Sequence, residues 1–345
     1  MIKSIKENLK PKILINNLIL IVGIILFVTL YGAVFGSANT LIGVCTITAM
    51  LMFKDINLSL KLNEAIITTI ISFVFMGIVT QIASINLFLG LVINFISIFI
   101  VSYLVTNTME TKAYLPFMLC YVFIEGNPIT WSQLPERLIA LFVGGVLIAL
   151  VYYFSHRKED DSDHINISEM IKTMDINTLQ FNFSLRMALS VSIAMLLGGL
   201  FGFQKSMWIS VTAMSITQPH FEDSKTKSKE RFFGTLIGAV IFLLLFGYLI
   251  PEKFSSIALL ILSYIYTFAK EYKIRMIFTT MSSLGAAMIL FQPGVSVPMR
   301  IAFIVIGIGI ALIVNKVIYA RLKLNESNKE EEDSTKSIEK VSEGF

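Results

Sequence analysis

Residues 232–250 read FFGTLIGAVIFLLLFGYLI, a run with no charged side chain. Its large apolar groups fall on every face of a helix and on both faces of a strand, so neither an amphipathic surface helix nor a half-buried strand fits. As a helix the run is about 28 Å long, close to the roughly 30 Å of bilayer hydrocarbon. Directly before it stands SKTKSKER, residues 224–231. A basic segment abutting an apolar run is the pattern of a spanning helix anchored at one membrane face.

Runs of the same kind recur outward from this one. They lie near 13–35, 39–53, 64–83, 85–104, 113–126 and 137–154, and again near 181–202, 206–219, 254–270, 275–291 and 298–319. The whole chain of 345 residues is 55% hydrophobic and only 15% charged. A soluble domain carries about a quarter charged residues, so a water-soluble globule and a disordered chain are both excluded. Barrel strands would alternate apolar and polar; these runs do not. The expected fold is an all-α integral membrane protein of about twelve transmembrane helices, arranged as two six-helix parallel repeats. The expected domains are 13–154 (first repeat), 155–180 (linker), 181–319 (second repeat) and a disordered charged tail, 320–345.

Charge placement predicts orientation. Lys3, Lys6, Lys10 and Lys12 precede an apolar run longer than a signal peptide's core, which reads as an uncleaved first span. With twelve spans, most Lys and Arg fall on the N-terminal side, and only Arg137, Lys205, Lys253 and Arg300 fall opposite. The positive-inside rule then predicts a multi-pass protein of the inner (cytoplasmic) membrane with both termini and the linker cytoplasmic. Cys45 and Cys120 both lie in apolar runs and read as buried free thiols.

The repeat is legible in matched features. Pro135-Glu-Arg137 and Pro298-Met-Arg300 each open the last apolar run of a half. Phe35-Gly36 and Phe201-Gly202 each precede a short run with a central threonine, Thr46 or Thr212. Asn127-Pro128 and Gln292-Pro293 each follow a fifth run. Sites in such duplicated proteins lie between the halves, near short or interrupted spans, so a translocation path between the halves is expected.

Residues 208–238 contain Trp208, Thr212, Gln218-Pro219, a basic segment that reads as a short loop, and then Arg231, Gly234, Thr235 and Gly238. This order resembles the fusaric acid resistance, or aromatic acid exporter, superfamily, in its compact form without large cytoplasmic domains. The resemblance implies export of small organic acids, aromatic or other weak acids, often with a periplasmic adaptor of the membrane-fusion type.

The candidate path residues are Arg231, Thr212, Gln218, Arg300, Arg137, Trp208 and Thr46. A planar guanidinium suits a carboxylate, while the bland alternative for Arg231 is an interfacial anchor. Thr212 and Thr46 could meet a carboxylate or bond back to their own helices, and Trp208 reads most simply as an interfacial belt residue. Glu125 and His220 are the candidate proton carriers. Gly234 and Gly238 form a G-x-x-x-G packing pair.

No phosphate-binding loop, metal-ligand cluster or nucleophile-base set is present in the sequence, so no cofactor, metal or enzymatic activity is expected. Nucleic-acid binding is not expected either, since the basic segment lacks interleaved aromatics. The expected partners are an organic anion, the lipid bilayer, an adaptor protein and a second copy of the chain. The expected function is a permease exporting small organic anions, with proton coupling open. A passive anion channel, or a non-transporting scaffold or sensor, is the alternative.

Overall fold

A computed structural model describes residues 11–107, 111–160, 164–202, 204–288 and 290–342, with side chains through Tyr319. Lys3, Lys6 and Lys10 lie outside the described residues, as do linker residues 161–163. The first set of helices is α1 (Pro11–Phe35), α2 (Thr40–Phe53), α3 (Leu62–Ala83), α4 (Leu87–Val105), α5 (Leu115–Glu125) and α6 (Leu134–His156). A short linker helix, α7 (Ile167–Lys172), follows. The second set is α8 (Leu179–Leu200), α9 (Met207–Ile216), α10 (Phe221–Leu244), α11 (Ser255–Tyr266), α12 (Tyr272–Ala287) and α13 (Pro293–Ser342). The protein is an all-helical membrane protein; among the described residues the one β feature is a bridge between Leu60 and Ile165.

Local chemistry sets the helix ends. Gly36 (φ 81°) and Gly202 (φ 58°) adopt the left-handed region that glycine enters without strain, and each stops a long helix just before a short one. Asn39 donates from its side chain to the Phe35 carbonyl at 2.6 Å, satisfying an orphan acceptor at the end of α1. Asn86 caps α4 by accepting from the Phe88 and Leu89 amides. Thr130 and Gln133 form a capping box just before α6. Pro219 has no N–H and disfavours helix at Gln218, so α9 ends at Ile216.

Twelve apolar helices were expected to span. Seven of the described helices are long and apolar enough to do so: α1, α3, α4, α6, α8, α10 and α13. The others are short; α9, with 10 residues, is about 15 Å long, half the hydrocarbon thickness. The basic segment read as a loop is also helical, because α10 begins at Phe221. Its lysines and glutamates are good helix formers. Glu222 and Asp223 sit at the favourable N-terminal end of the dipole, with Lys225 2.7 Å from Glu222. The tail read as disordered continues α13 in helical backbone to Ser342, again over a Lys- and Glu-rich sequence.

Two apolar cores divide the bundle. One gathers side chains from α1 to α6 against one face of α8, through Phe183, Met187 and Val191. The other is built from α9, α10, α12 and α13 around Trp208, Phe242, Leu284 and Phe303. In the first set, α3 lies along α6, and α2 packs on α1, α5 and α6. In the second, α10 lies along α12, and α9 packs on α8 and α13. The long contact between α4 and α8 joins the sets. The apolar faces of α1 and α11 stay exposed, with Tyr31 the one buried residue of α1 and none on α11; in a bilayer they meet lipid.

Gly234 and Gly238 let α10 and α12 touch at the backbone. A Cβ at Gly234 would come within 2.7 Å of the Lys273 carbonyl oxygen, and one at Gly238 within 2.6 Å of that of Ile277. Neither carbonyl can yield without moving its helix. Gly238→Leu is therefore expected to destabilise the protein by about 1–3 kcal/mol, read as a lower melting temperature in detergent; an unchanged melt would mean that the helices separate freely.

The linker folds back on the loop between α2 and α3. Glu64 accepts from the Ile167 amide, and Asn57 donates to Glu159, whose other oxygen lies 2.7 Å from His156 Nδ1. His156 Nε2 reaches the Phe53 carbonyl at 2.9 Å. Slight burial opposes ionisation of Glu159, but the hydrogen bonds from His156 and Asn57 win and hold its carboxyl below the usual carboxylate range. The sign follows: the contact is stabilising above that range and is lost as pH falls through the lowered value. Hydrogen exchange over 157–172 is expected to accelerate in acid, and Glu159→Gln to do the same at neutral pH. His156 is buried but Glu159 is 47% exposed and screened by solvent, so global stability should change by less than about 1 kcal/mol.

Candidate functional site, a buried arginine pair

Four arginines, Arg137, Arg186, Arg231 and Arg300, are each no more than 3% exposed within apolar bundles. A buried charge is tolerated when acceptors surround it and is costly when they do not. The four divide cleanly on that criterion.

Arg137 and Arg186 are enclosed by acceptors. Arg137 donates to Asn39 Oδ1 (3.2 Å) and to the carbonyls of Asn127 (2.9 Å), Ala38 (3.1 Å) and Ile124 (3.5 Å). It ties the turn before α2 to the end of α5. Arg186 donates to the carbonyls of Asn182 (3.2 Å), Gln218 (2.9 Å) and Pro219 (2.5 Å) and to Asn315 Oδ1 (2.8 Å). It ties α8 to the broken end of α9 and to α13. Their guanidinium groups are structural staples. Arg137, expected beside Arg300 on the path, does not meet it.

Arg231 and Arg300 are different. From α10, Arg231 Nη1 reaches Ser215 Oγ (2.9 Å), Tyr272 Oη (3.4 Å) and Met276 Sδ (3.3 Å), while its Nε and Nη2 are buried without any acceptor. From α13, Arg300 lies over the Trp208 ring at 4.6 Å, and its Nε is likewise buried without an acceptor. A cation over an indole face recovers part of the lost hydration. Among the described residues no carboxylate meets either group, and the charge of Arg231 acts directly on Arg300. Two like charges facing each other in a low dielectric repel strongly. Their contacts on α9, Ser215 and Trp208, are seven residues apart, about 10 Å along one helix.

The remaining candidates take clear places around this pair. Trp208 is 4% exposed, buried beneath Arg300 rather than standing in an interfacial belt. The Thr212 hydroxyl bonds back to the Trp208 carbonyl at 2.7 Å, so it fills the gap between the arginines without a free donor. Gly307 of α13 lies against it, where a Cβ would come within 2.7 Å of Thr212 Cβ. Thr46 is buried in the other core, beside Gly144, far from the pair in the fold. The centre of positive charge therefore sits inside the second helical set, not between the sets as expected.

A cavity of about 720 Å³ opens at the linker end of the second set. Lys112, Gln218, His220, Asp223, Lys227 and Glu230 are among its walls. Lys227 Nζ bonds Gln218 Oε1 at 2.7 Å and lies 5.2 Å from the centre of the Tyr272 ring. The Gln218 amide nitrogen is held by the Ser215 and Thr217 carbonyls. On the inner side of Tyr272, its hydroxyl shares a 2.7 Å hydrogen bond with Ser215 and meets Arg231. Tyr272 and Ser215 thus lie between two residues of the cavity wall, Lys227 and Gln218, and Arg231. Lys227 and Arg231 are one turn apart on α10, which makes a ladder of positive charge from cavity to pair. His220 is exposed at the rim, at the start of α10.

At the opposite end, a cavity of about 240 Å³ is lined by Thr80, Ser84, Asn86, Asn94 and Glu125. No hydrogen bond or ion pair reaches the Glu125 carboxylate among the described residues, while nearby Tyr121 donates to Asn94 at 2.8 Å. The next residues press on α9: a Cβ on Gly126 would come within 2.6 Å of Met207 Cβ, and Asn127 Nδ2 lies 3.6 Å from Met207 Sδ.

Sequence reasoning missed Ser215, Tyr272 and Lys227. Ser215 lies one turn from Thr212, and that spacing was a usable signal. Tyr272 sits in a charged stretch before an apolar run and carried none.

The site is thus a pair of arginines, without a carboxylate partner among the described residues, inside an all-helical membrane bundle. Residues 193–314, about a third of the chain, match the family model described as fusaric acid resistance protein-like, so this segment is similar to that family. The match bears out the resemblance read from residues 208–238, and the family it names suggests a membrane transport or resistance type of function. The matched segment contains Trp208, Ser215, Arg231, Tyr272 and Arg300. No curated protein and no solved structure matches the chain.

Proposed function

We propose that the protein is an inner-membrane permease that exports small organic anions, with aromatic and other weak acids as its candidate cargo. One observation carries this reading: Arg231 and Arg300 are buried with unused donors and, among the described residues, without a carboxylate partner. Such an arrangement is unfavourable in the empty protein and becomes favourable when an anion supplies the missing charge. The vestibule faces the cytoplasm in this reading, since the linker end is the basic end. An anion is gathered near Lys227 and passes when the Tyr272–Ser215 hydrogen bond opens. It binds between Arg231 and Arg300 and leaves at the far side.

Two matched helical sets support a duplicated architecture. The glycine breaks at Gly36 and Gly202 are followed by equally placed short helices. The packing of α2 on α1 and α6 is repeated by that of α9 on α8 and α13. Exchanging the sets turns the α4–α8 contact into α11–α1, which also exists, tied by Tyr264 donating to the Leu14 carbonyl at 3.1 Å. Rocking of the sets is the motion that such symmetry supports.

Glu125 is the proposed proton carrier, because its carboxyl lines a polar cavity and its loop rests on the helix that holds Trp208. His220 is the weaker candidate at the vestibule rim. A periplasmic adaptor and self-association belong to the same reading. The test is flux of labelled benzoate in proteoliposomes, with and without a pH gradient. Saturable uphill flux under the gradient, abolished by Glu125→Gln, is expected. Gradient-independent single-channel currents would favour a passive channel, and no flux above empty vesicles would remove transport of this anion.

A further inference from the structure

We infer that the anion bound between Arg231 and Arg300 is a dianion, an organic molecule with an acidic group at each of two ends. The inference rests on the permease reading and specifies its substrate. Both guanidinium groups are buried, and both lack a carboxylate among the described residues. A monoanion entering the site neutralises one of them and leaves a net positive charge in low dielectric beside the other. A dianion satisfies both.

The geometry argues for charges at separate ends rather than on one compact centre. Arg231 is fastened at Ser215 and Arg300 at Trp208, about two turns apart on α9. The wall between them is the Thr212 face, whose hydroxyl is already turned back to its own helix. That face offers no donor to a central charge and is packed against Gly307 of α13, so an apolar ligand body enters there only when α9 and α13 part. The unused donors are Nε and Nη2 on Arg231 and Nε on Arg300, so each end can receive at least one charge-assisted hydrogen bond. The vestibule carries both signs, Lys112 and Lys227 beside Asp223 and Glu230, so the demand for two negative charges arises at the arginine pair itself.

The test compares benzoate, benzene-1,4-dicarboxylate and sulfate, which separate one charge, two distant charges and two charges on one centre. Wild-type protein in proteoliposomes is expected to move the dicarboxylate at least about 10-fold faster than benzoate or sulfate at equal concentration, the discrimination given by one additional charge-assisted contact. The dicarboxylate should also raise the melting temperature most, a binding readout that needs no variant. Arg231→Gln and Arg300→Gln, taken singly, should each bring the dicarboxylate-to-benzoate flux ratio down to about one.

Equal or faster benzoate flux in the wild type would overturn the dianion while leaving the permease intact. Sulfate moving as fast as the dicarboxylate would overturn the two-ended ligand. A flux ratio unchanged in both variants would overturn the assignment of the two ends to these arginines. Absence of flux and of thermal shift with every anion would overturn the permease reading itself.

Discussion

The double variant Arg231→Gln, Arg300→Gln is expected to lose organic-anion flux by about 100-fold or more while melting no lower than the wild type. The functional half follows from the contacts removed: two charge-assisted interactions, each worth roughly 1.5–3 kcal/mol, multiply into that loss. The stability half is the sharper one. Among the described residues the two cations meet no carboxylate, and like charges in a low dielectric repel. Replacing unpaired buried charges with neutral groups of similar shape is neutral or stabilising by about 1–4 kcal/mol. Glutamine keeps the hydrogen bond to Ser215 within reach and removes the charge. The measurement is a pair of curves, proteoliposome flux and thermal unfolding in the same detergent. A variant that melts well below the wild type would mean that these arginines hold the fold, and the anion site would lose its basis.

Arg186→Met is expected to do the opposite, destabilising the protein by about 3–5 kcal/mol. Methionine fills the volume but leaves the Gln218 and Pro219 carbonyls and Asn315 Oδ1 buried without their donor. Each unsatisfied acceptor costs about 1–3 kcal/mol. The loss falls where α9 breaks before Pro219, so α9 detaches from α8 and α13 together. Arg186→Lys should recover only part, since one ammonium cannot span acceptors arranged for a planar fork. Thermal unfolding and the yield of folded protein in detergent check this. Wild-type stability in Arg186→Met would show that the carbonyls find other donors and that the staple is dispensable.

The pair of predictions separates residues that look alike in the chain. Arg137 and Arg300 occupy equivalent Pro-x-Arg positions, and both were candidates for the path. Their difference comes from what the fold brings near. Asn39 and the Ala38 carbonyl reach Arg137 across about a hundred residues, whereas Trp208 reaches Arg300 with a ring face and no acceptor. Likewise Trp208 alone in the sequence is an ordinary belt residue; only the packing of α13 on α9 turns it into a cation's partner. The basic segment before Arg231 was misread as a loop because charge density suggested solvent. In the fold it is a helix that carries Lys227 and Arg231 to one side.

The order of amino acids by itself determined the solvent of this protein, its helical class and the points where helices stop. Those properties depend on composition over windows of about twenty residues and on single backbone-restricting residues such as Gly36 and Pro219, all of it local physics. It also singled out residues 208–238, which fall inside the family match at 193–314. The tertiary structure alone decided which buried arginines are neutralised and which are left wanting an anion. Whether a guanidinium is satisfied depends on acceptors supplied by other helices, Gln218 and Asn315 for Arg186 and, among the described residues, none for Arg300 Nε. Desolvation and pairing are sums over neighbours in space, and the chain order does not state who those neighbours are.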